Sequence, residues 1–191
     1  MKKAAVLALQ GAFFEHERML SSLGASTVQF RQRRDLLKSY DVLILPGGES
    51  TVQGKLLREL DMFSHLQEQI REGLPTLATC AGLILLAEKL SNDERAYFQT
   101  LPVTVRRNAY GRQLGSFRTW ADFSGIGRVP MTFIRAPYVE KASPSVQTLA
   151  RVDEHIVAVR YKNQLALSFH PELDPDTRIY EAFLSMAKEA S

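Results

Sequence analysis

The stretch "LPTLATCAGLILL", residues 74–86, joins two apolar runs through a turn of small residues. The first run, "PTLATC" (75–80), predicts a buried strand, and "GLILLAEKL" (82–90) predicts the helix after it. Cys80, the only cysteine of the chain, falls at the junction. A lone cysteine cannot form an internal disulfide, so it is either a small buried hydrophobic residue or a reactive group.

The same strand-then-helix order extends back to the N-terminus. Apolar runs predict strands, and amphipathic spacing closed by glycine predicts helices. The strands are 4–9, 26–30, 41–48 and 75–80, and the helices are 14–24, one starting near Ser50 as its N-cap, 62–73 and 82–90. Alternating strands and helices predict an α/β fold with a parallel sheet covered on both faces.

The second half of the chain has a different pattern. Successive β-type runs predict antiparallel additions and hairpins at 101–105, 131–137, 145–152, 155–161 and 164–169. A last helix is expected over 176–190. Because no linker or repeat interrupts the sequence, we expect one domain over 1–191.

Composition excludes several classes of protein. A hydrophobic fraction of 45% supports a buried core, and a net charge of +3 over 191 residues is too small to indicate nucleic-acid binding. The N-terminal apolar run, Ala4 to Leu9, is too short for a signal peptide. No apolar segment approaches the roughly 20 residues of a membrane helix, so we expect a cytoplasmic protein without membrane contact.

The neighbours of Cys80 favour a nucleophile. Ala78 and Gly82, two residues before and after it, match the tight strand-to-helix turn of a nucleophile elbow. Such a turn points the sulfur at a helix N-terminus, which stabilises a thiolate, and the N–H of Ala81 can face an oxyanion. The alternative is an inert buried cysteine.

A thiol nucleophile needs a base and a group that orients the base. His16 and His65 fall in amphipathic helices, where we expect surface or half-buried positions, and His155 falls in a predicted hairpin turn. His170 instead ends the apolar strand of "LALSFHPEL". In an extended segment Glu172 would point to the same side as His170 and accept its hydrogen bond.

The turn "LILPGGES" (43–50) ends another predicted strand. Gly47 and Gly48 permit a sharp turn with exposed N–H groups, one of which could complete an oxyanion hole. An ordinary loop would carry the same residues. Since the carboxyl ends of parallel strands share one edge, these residues are expected near Cys80.

Taken together, the motifs resemble the class I (triad) glutamine amidotransferases, and within them the glutaminase subunits of pyridoxal 5'-phosphate synthase. The matching segments are "LALQGAFFEH" (7–16), "LILPGGESTV" (43–52), "TCAGLILLA" (79–87), "VRRNAYGRQLGSF" (105–117), "FIRAP" (133–137) and "SFHPEL" (168–173). The resemblance implies a flavodoxin-like three-layer sandwich with a mostly parallel central sheet and antiparallel additions. Ala78 stands where the family usually has glycine, and 119–131, expected to hold a hairpin, matches only loosely.

The resemblance also implies residue roles in hydrolysing L-glutamine to glutamate and ammonia. Cys80 would attack the amide, His170 would transfer the proton, and Glu172 would hold His170. The implied glutamine-binding residues are Gly48, Glu49, Ser50, Arg107, Ile134 and Arg135, with the N–H groups of Gly48 and Ala81 as the oxyanion hole. A guanidinium suits the α-carboxylate of glutamine, and Glu49 suits its ammonium group. No metal and no cofactor is implied, since pyridoxal phosphate would be a product of the complex.

The implied partner is a (β/α)₈-barrel synthase subunit in a large hetero-oligomer, which receives the ammonia internally. Phe13 and Phe14 follow the first strand and suit either that docking face or the core. Two other functions remain open: a triad glutaminase for another pathway, such as histidine biosynthesis, and a non-catalytic flavodoxin-like binding module.

Overall fold

The computed structural model describes residues 1–110 and 115–189. Within them the strands are β1 (Lys3–Leu7), β2 (Ser26–Phe30), β3 (Val42–Leu45), β4 (Thr76–Thr79), β5 (Ala87–Leu90), β6 (Leu101–Arg106), β7 (Ser116–Phe123), β8 (Gly127–Ile134), β9 (Tyr138–Ala142), β10 (Gln147–Val152), β11 (His155–Tyr161) and β12 (Gln164–Leu167). The helices are α1 (Phe13–Ser22), α2 (Ser50–Glu59), α3 (Phe63–Arg71), α4 (Ala81–Leu86) and α5 (Arg178–Glu189).

A parallel block of strands in the order β2-β1-β3-β4-β12 forms the part of the sheet that matters for the site. Strands β11, β10, β7 and β8 extend it in antiparallel fashion, and β5, β6 and β9 branch from β11. The predicted α/β fold with antiparallel additions is therefore confirmed. Because β1, β3, β4 and β12 are parallel, the segments that follow them emerge at one edge.

Two hydrophobic cores lie on the two faces of this sheet and give the three layers. Side chains alternate along β1, so that Ala5 and Leu7 join the core beneath α2, α3 and α4. Ala4 and Val6 instead face the core formed with α1 and α5. In the part of the chain described, no helix is long and apolar enough to cross a membrane.

The structure corrects one helix boundary and one N-cap, and it adds one strand. Helix α4 ends at Leu86, because residues 87–90 leave it to pair with β6, so the predicted helix over 82–90 is too long. Helix α2 does begin at Ser50, but the N-cap is the extended residue Glu49. Strand β9 was not predicted, whereas the hairpin expected within 119–131 is formed by β7 and β8.

Candidate active site

Cys80 lies at a strained turn between β4 and α4. Its backbone has φ 47° and ψ −101°, a left-handed conformation that non-glycine residues seldom adopt. The N–H of Cys80 donates to the carbonyl of Leu167 at 2.8 Å, so β12 holds the turn in place. This strain at a strand-to-helix junction matches the elbow predicted from the sequence.

Close packing explains the glycines around the elbow. A Cβ on Gly82 would lie 2.1 Å from the carbonyl oxygen of Leu45, so β3 and α4 approach through a backbone contact that any side chain would block. A Cβ on Gly47 would lie 2.3 Å from Cε1 of His170 and 3.3 Å from Cβ of Cys80. The absence of a side chain at Gly47 therefore lets the loop after β3 contact both residues.

His170 and Glu172 form a buried pair beside the sulfur. Nδ1 of His170 is 2.6 Å from Oε1 of Glu172, and the His170 backbone N–H donates to Thr132 at 2.8 Å. The side chains of His170 and Cys80 also lie close enough to interact, and both line the same cleft. The predicted contact is present, but its geometric reason was wrong: residues 171–173 form a 3₁₀ turn rather than an extended segment.

The charges of this cluster are coupled. Burial by itself lowers the pKa of His170, but hydrogen bonds to Cys80 and Glu172 and their negative charges outweigh it and raise the pKa to about 10. Burial raises the pKa of Glu172, but the neighbouring His16 and His170 reverse this and leave the pKa below its usual value. His170 therefore carries a proton at neutral pH beside an ionised carboxylate.

A cleft of about 230 Å³ opens above Cys80 and His170. Its lining consists of Gln10, Gly11, Ala12, Gly47, Gly48, Glu49, Ser50, Cys80, Ile84, Arg107, Asn108, Ile134, Arg135 and His170. Eight of the ten predicted site residues are in this lining. The other two lie behind it: Glu172 is 2% exposed, and Ala81, the first residue of α4, is 1% exposed.

Two arginines at the cleft already face carboxylates. Arg135 has φ 41° and lies 3.6 Å from Oε1 of Glu49, both side chains being at least half exposed. Arg107 is mostly buried and pairs with Asp93, whose pKa is held well below its usual range by hydrogen bonds from Arg95 and Arg107 that outweigh burial. The cleft therefore presents two guanidinium groups and one exposed carboxylate.

The segment after β1 contributes residues to the cleft that were not among the predicted site residues. Gln10 accepts the Glu49 backbone N–H at 2.6 Å, and Ala12 donates its N–H to the Gly47 carbonyl at 3.1 Å. These contacts position the loop after β3. The sheet topology could have predicted that this segment contributes to the site, because residues that follow β1 emerge at the same edge as those that follow β3 and β4.

His16 was wrongly expected at the surface or half-buried. It is fully buried on α1, and its ring contacts Thr79, Glu172 and Tyr180. His16 lies four residues before the buried Leu20, which places it on the inner face of the helix. This spacing could have predicted from the sequence that His16 is buried. His65 is exposed as expected, and His155 begins β11, stacked on Tyr138.

Comparison with known proteins agrees with this geometry. The model of the SNO glutamine amidotransferase family matches residues 6–189. The chain belongs to this family. A relative from Desulfitobacterium hafniense, described as pyridoxal 5'-phosphate synthase subunit PdxT, is 62% identical over 95% of this chain and 92% of its own. Its namesake from Streptococcus pneumoniae is 48% identical over 99% of this chain and 100% of its own.

Solved structures extend the comparison to the fold of this SNO family member. A crystal structure of a glutamine amidotransferase superposes with a TM-score of 0.92 at 40% identity, covering 97% of this chain and 98% of that one. PurLQS from Thermotoga maritima superposes with a TM-score of 0.70 at 17% identity over 97% and 99%, and shows the shared fold alone.

Residues 111–113 of the "RNxxGRQ" motif lie outside the described residues. Among residues 1–110 and 115–189, no group of three or more histidine, cysteine or acidic side chains is arranged to hold a metal ion. Ser50 contributes a buried hydroxyl that has no hydrogen-bond partner within those ranges.

Proposed function

We propose that this protein hydrolyses the side-chain amide of L-glutamine as the glutaminase subunit of a pyridoxal 5'-phosphate synthase. The observation that carries the proposal is the continuous contact from Cys80 through His170 to Glu172 at the floor of a cleft sized for an amino acid. Membership of the glutamine amidotransferase family supports the reaction, and the two PdxT relatives support the pathway.

In the proposed reaction, the sulfur of Cys80 attacks the amide carbon of glutamine. The proton on His170 passes to the nitrogen as the C–N bond breaks, so ammonia leaves and a thioester remains. Water, deprotonated by His170, then attacks the thioester and releases glutamate. Glu172 orients the imidazole and stabilises its charged form through the hydrogen bond to Nδ1.

The N–H groups of Gly48 and Ala81 are the proposed oxyanion hole. The Gly48 N–H is the one that follows Gly47, and the Ala81 N–H is the one that follows the nucleophile Cys80. The oxyanion of the tetrahedral intermediate would form beside these two groups. Ile134 contributes the neighbouring wall, since its carbonyl oxygen lies 3.9 Å from the Cys80 sulfur.

Recognition of free glutamine rests on its two α-substituents. We assign the carboxylate to Arg107 and Arg135 and the ammonium group to Glu49. We assign a further hydrogen bond with glutamine to the hydroxyl of Ser50, which has no partner among the described residues. The exposed Arg135–Glu49 ion pair costs little to open, because exposed pairs contribute about 0–1 kcal/mol. Both side chains can therefore bind the substrate at a small cost in free energy.

The proposal includes the partner. The chain works with a synthase subunit, for which we propose a (β/α)₈ barrel in a large hetero-oligomer that takes up the ammonia internally. Phe14 is 61% exposed and lies two residues after Ala12 of the cleft lining, so it suits a docking contact, whereas Phe13 packs against the core. A cytosolic location, in which the Cys80 thiol stays reduced, is part of the proposal.

The test is glutamate release from glutamine by the chain with and without the synthase subunit. Wild type should release glutamate in the complex, and Cys80→Ala should release none while still binding the synthase subunit in a pull-down. Activity that survives the loss of the sulfur would refute the mechanism. A wild-type chain that hydrolyses glutamine but does not bind the synthase would refute the pathway.

A further inference from the structure

A buried polar cluster lies behind Glu172, on the side away from the cleft. It contains His16 from α1, Thr79 at the end of β4 and Tyr180 from α5, all three completely buried. Buried polar groups are costly unless they are paired, so the proton positions in this cluster are constrained. None of the three residues lines the cleft.

The distances define one chain of contacts. Nδ1 of His16 is 2.8 Å from the hydroxyl of Tyr180, and Nε2 is 3.2 Å from Oγ1 of Thr79. The same Nε2 lies 3.6 Å from Oε2 of Glu172. Oε2 has no hydrogen-bond partner among the described residues, whereas Oε1 binds His170.

The tautomer of His16 that carries its hydrogen on Nε2 is the one that suits the carboxylate of Glu172. If the hydroxyl of Tyr180 donates to Nδ1, Nε2 carries the hydrogen and points it at two oxygen acceptors. The opposite tautomer would place the lone pair of Nε2 against the carboxylate of Glu172 and leave Oε2 with no donor nearby. Burial lowers the pKa of His16 despite the opposing charge of Glu172, which favours the neutral form of the ring.

Thr79 links this cluster to the loop above the cleft. Its Oγ1 accepts the backbone N–H of Gly47 at 3.1 Å and lies within hydrogen-bond distance of His16. One imidazole therefore contacts both the carboxylate that orients His170 and the hydroxyl that anchors the loop carrying Gly48.

We propose that His16 is a positioning residue of the glutaminase reaction: held by Tyr180, it directs its Nε2–H at Glu172 and Thr79 and so fixes the carboxylate of the triad. This inference rests on the function proposed above. A neutral N–H beside a buried carboxylate favours the ionised form, and its removal should raise the pKa of Glu172. The acidic limb of the pH profile of kcat/KM should then move to higher pH.

The pH effect has to be separated from the other groups around the cluster. The titratable side chains that act on His16 or Glu172 are Glu15, His170, Tyr180 and, through His170, Cys80. All of these remain in a His16 variant, so a change in the acidic limb reports the missing imidazole.

The experiment compares His16→Leu with His16→Gln in the assembled complex, because the glutamine amide can return an N–H near the position of Nε2. His16→Leu should lower kcat about tenfold, because the buried carboxylate loses the N–H that faces it, with KM changed less than about twofold. Its acidic limb should shift upward, and His16→Gln should restore most of both. His65→Leu, the same change at an exposed helix position, should match wild type.

Each outcome distinguishes the inference from the proposed function. If Cys80→Ala is inactive and His16→Leu keeps the wild-type kcat and acidic limb, the function stands and the inference is overturned. A loss of kcat that His16→Gln does not rescue, with the acidic limb unmoved, also overturns it. If His16→Leu does not fold, Tyr180→Phe replaces it, and an unshifted acidic limb in that variant overturns the inference.

Discussion

A methyl group added at Gly47 would strike His170. The backbone of Gly47 lies outside the left-handed region, so alanine itself is conformationally permitted there. The added carbon would lie 2.3 Å from Cε1 of His170, while ordinary contact begins at 3.4 Å. The imidazole or the loop must therefore retreat by about 1.1 Å, the difference between these distances.

A displacement of this size in a reacting group is worth about a hundredfold in rate, so Gly47→Ala should lower kcat for glutamine by about that factor. Overpacking also costs stability, here about 1–3 kcal/mol. Gly125→Ala is the matched control: it has φ 80° with nothing within 4 Å of the added carbon. Backbone strain should cost that variant about 1–2 kcal/mol without changing kcat.

The assay is glutamate release by the complex at saturating glutamine, with chemical denaturation of each variant measured alongside. If Gly47→Ala retained kcat within twofold of wild type, the packing of the loop against His170 described here would be refuted. If Gly125→Ala lost activity to the same degree, the loss would follow from stability rather than from displacement of the imidazole.

Further predictions concern packing, protonation and binding. Gly82→Ala forces a methyl to 2.1 Å from the Leu45 carbonyl oxygen and should lower the free energy of unfolding by at least about 1–3 kcal/mol, measured with denaturant; an unchanged midpoint would contradict that contact. Because His170 has a pKa of about 10, NMR should find its ring still protonated at pH 8, and Cys80→Ala should shift the titration to lower pH, since the sulfur favours the charged imidazole. Arg107→Ala should raise KM for glutamine about tenfold or more with a smaller effect on kcat; a loss confined to kcat would exclude its binding role.

The sequence could predict that the site residues lie close together, because this follows from the topology of the sheet. Parallel neighbours place their carboxyl ends at one edge, and Cys80 and His170 follow strands that proved to be adjacent. The elbow was predictable from Gly82, because the close backbone contact with Leu45 requires a glycine at this position of the sequence. The contact between His170 and Glu172 was predicted from an extended geometry that the 3₁₀ turn replaces.

Other features of the fold and the site depend on contacts between segments far apart in the sequence, which a local sequence pattern cannot predict. Residues 87–90 read as a continuing helix, yet they form β5 because β6 offers a pairing edge, an effect of tertiary structure on propensity. The partners of His16 lie on β4 and α5, far away in sequence, so helical spacing could place His16 on the buried face but could not identify its neighbours. The hydrogen bond between Gln10 and Glu49 likewise joins segments far apart in sequence, so topology could place Gln10 at this edge but could not identify its partner.

The site has a buried half and an exposed half, and the two respond differently to substitution. Cys80 adopts a backbone conformation that costs about 1–3 kcal/mol, and it persists because β12 fixes its N–H and α4 packs directly on β3. The arrangement of sulfur and imidazole is thus determined by backbone contacts, which tolerate no added atoms. Arg135 and Glu49 meet at the surface through long side chains that open at little cost. Substitutions that disturb the packing around the sulfur and the imidazole should therefore act mainly on kcat, and substitutions of Arg135 and Glu49 mainly on KM.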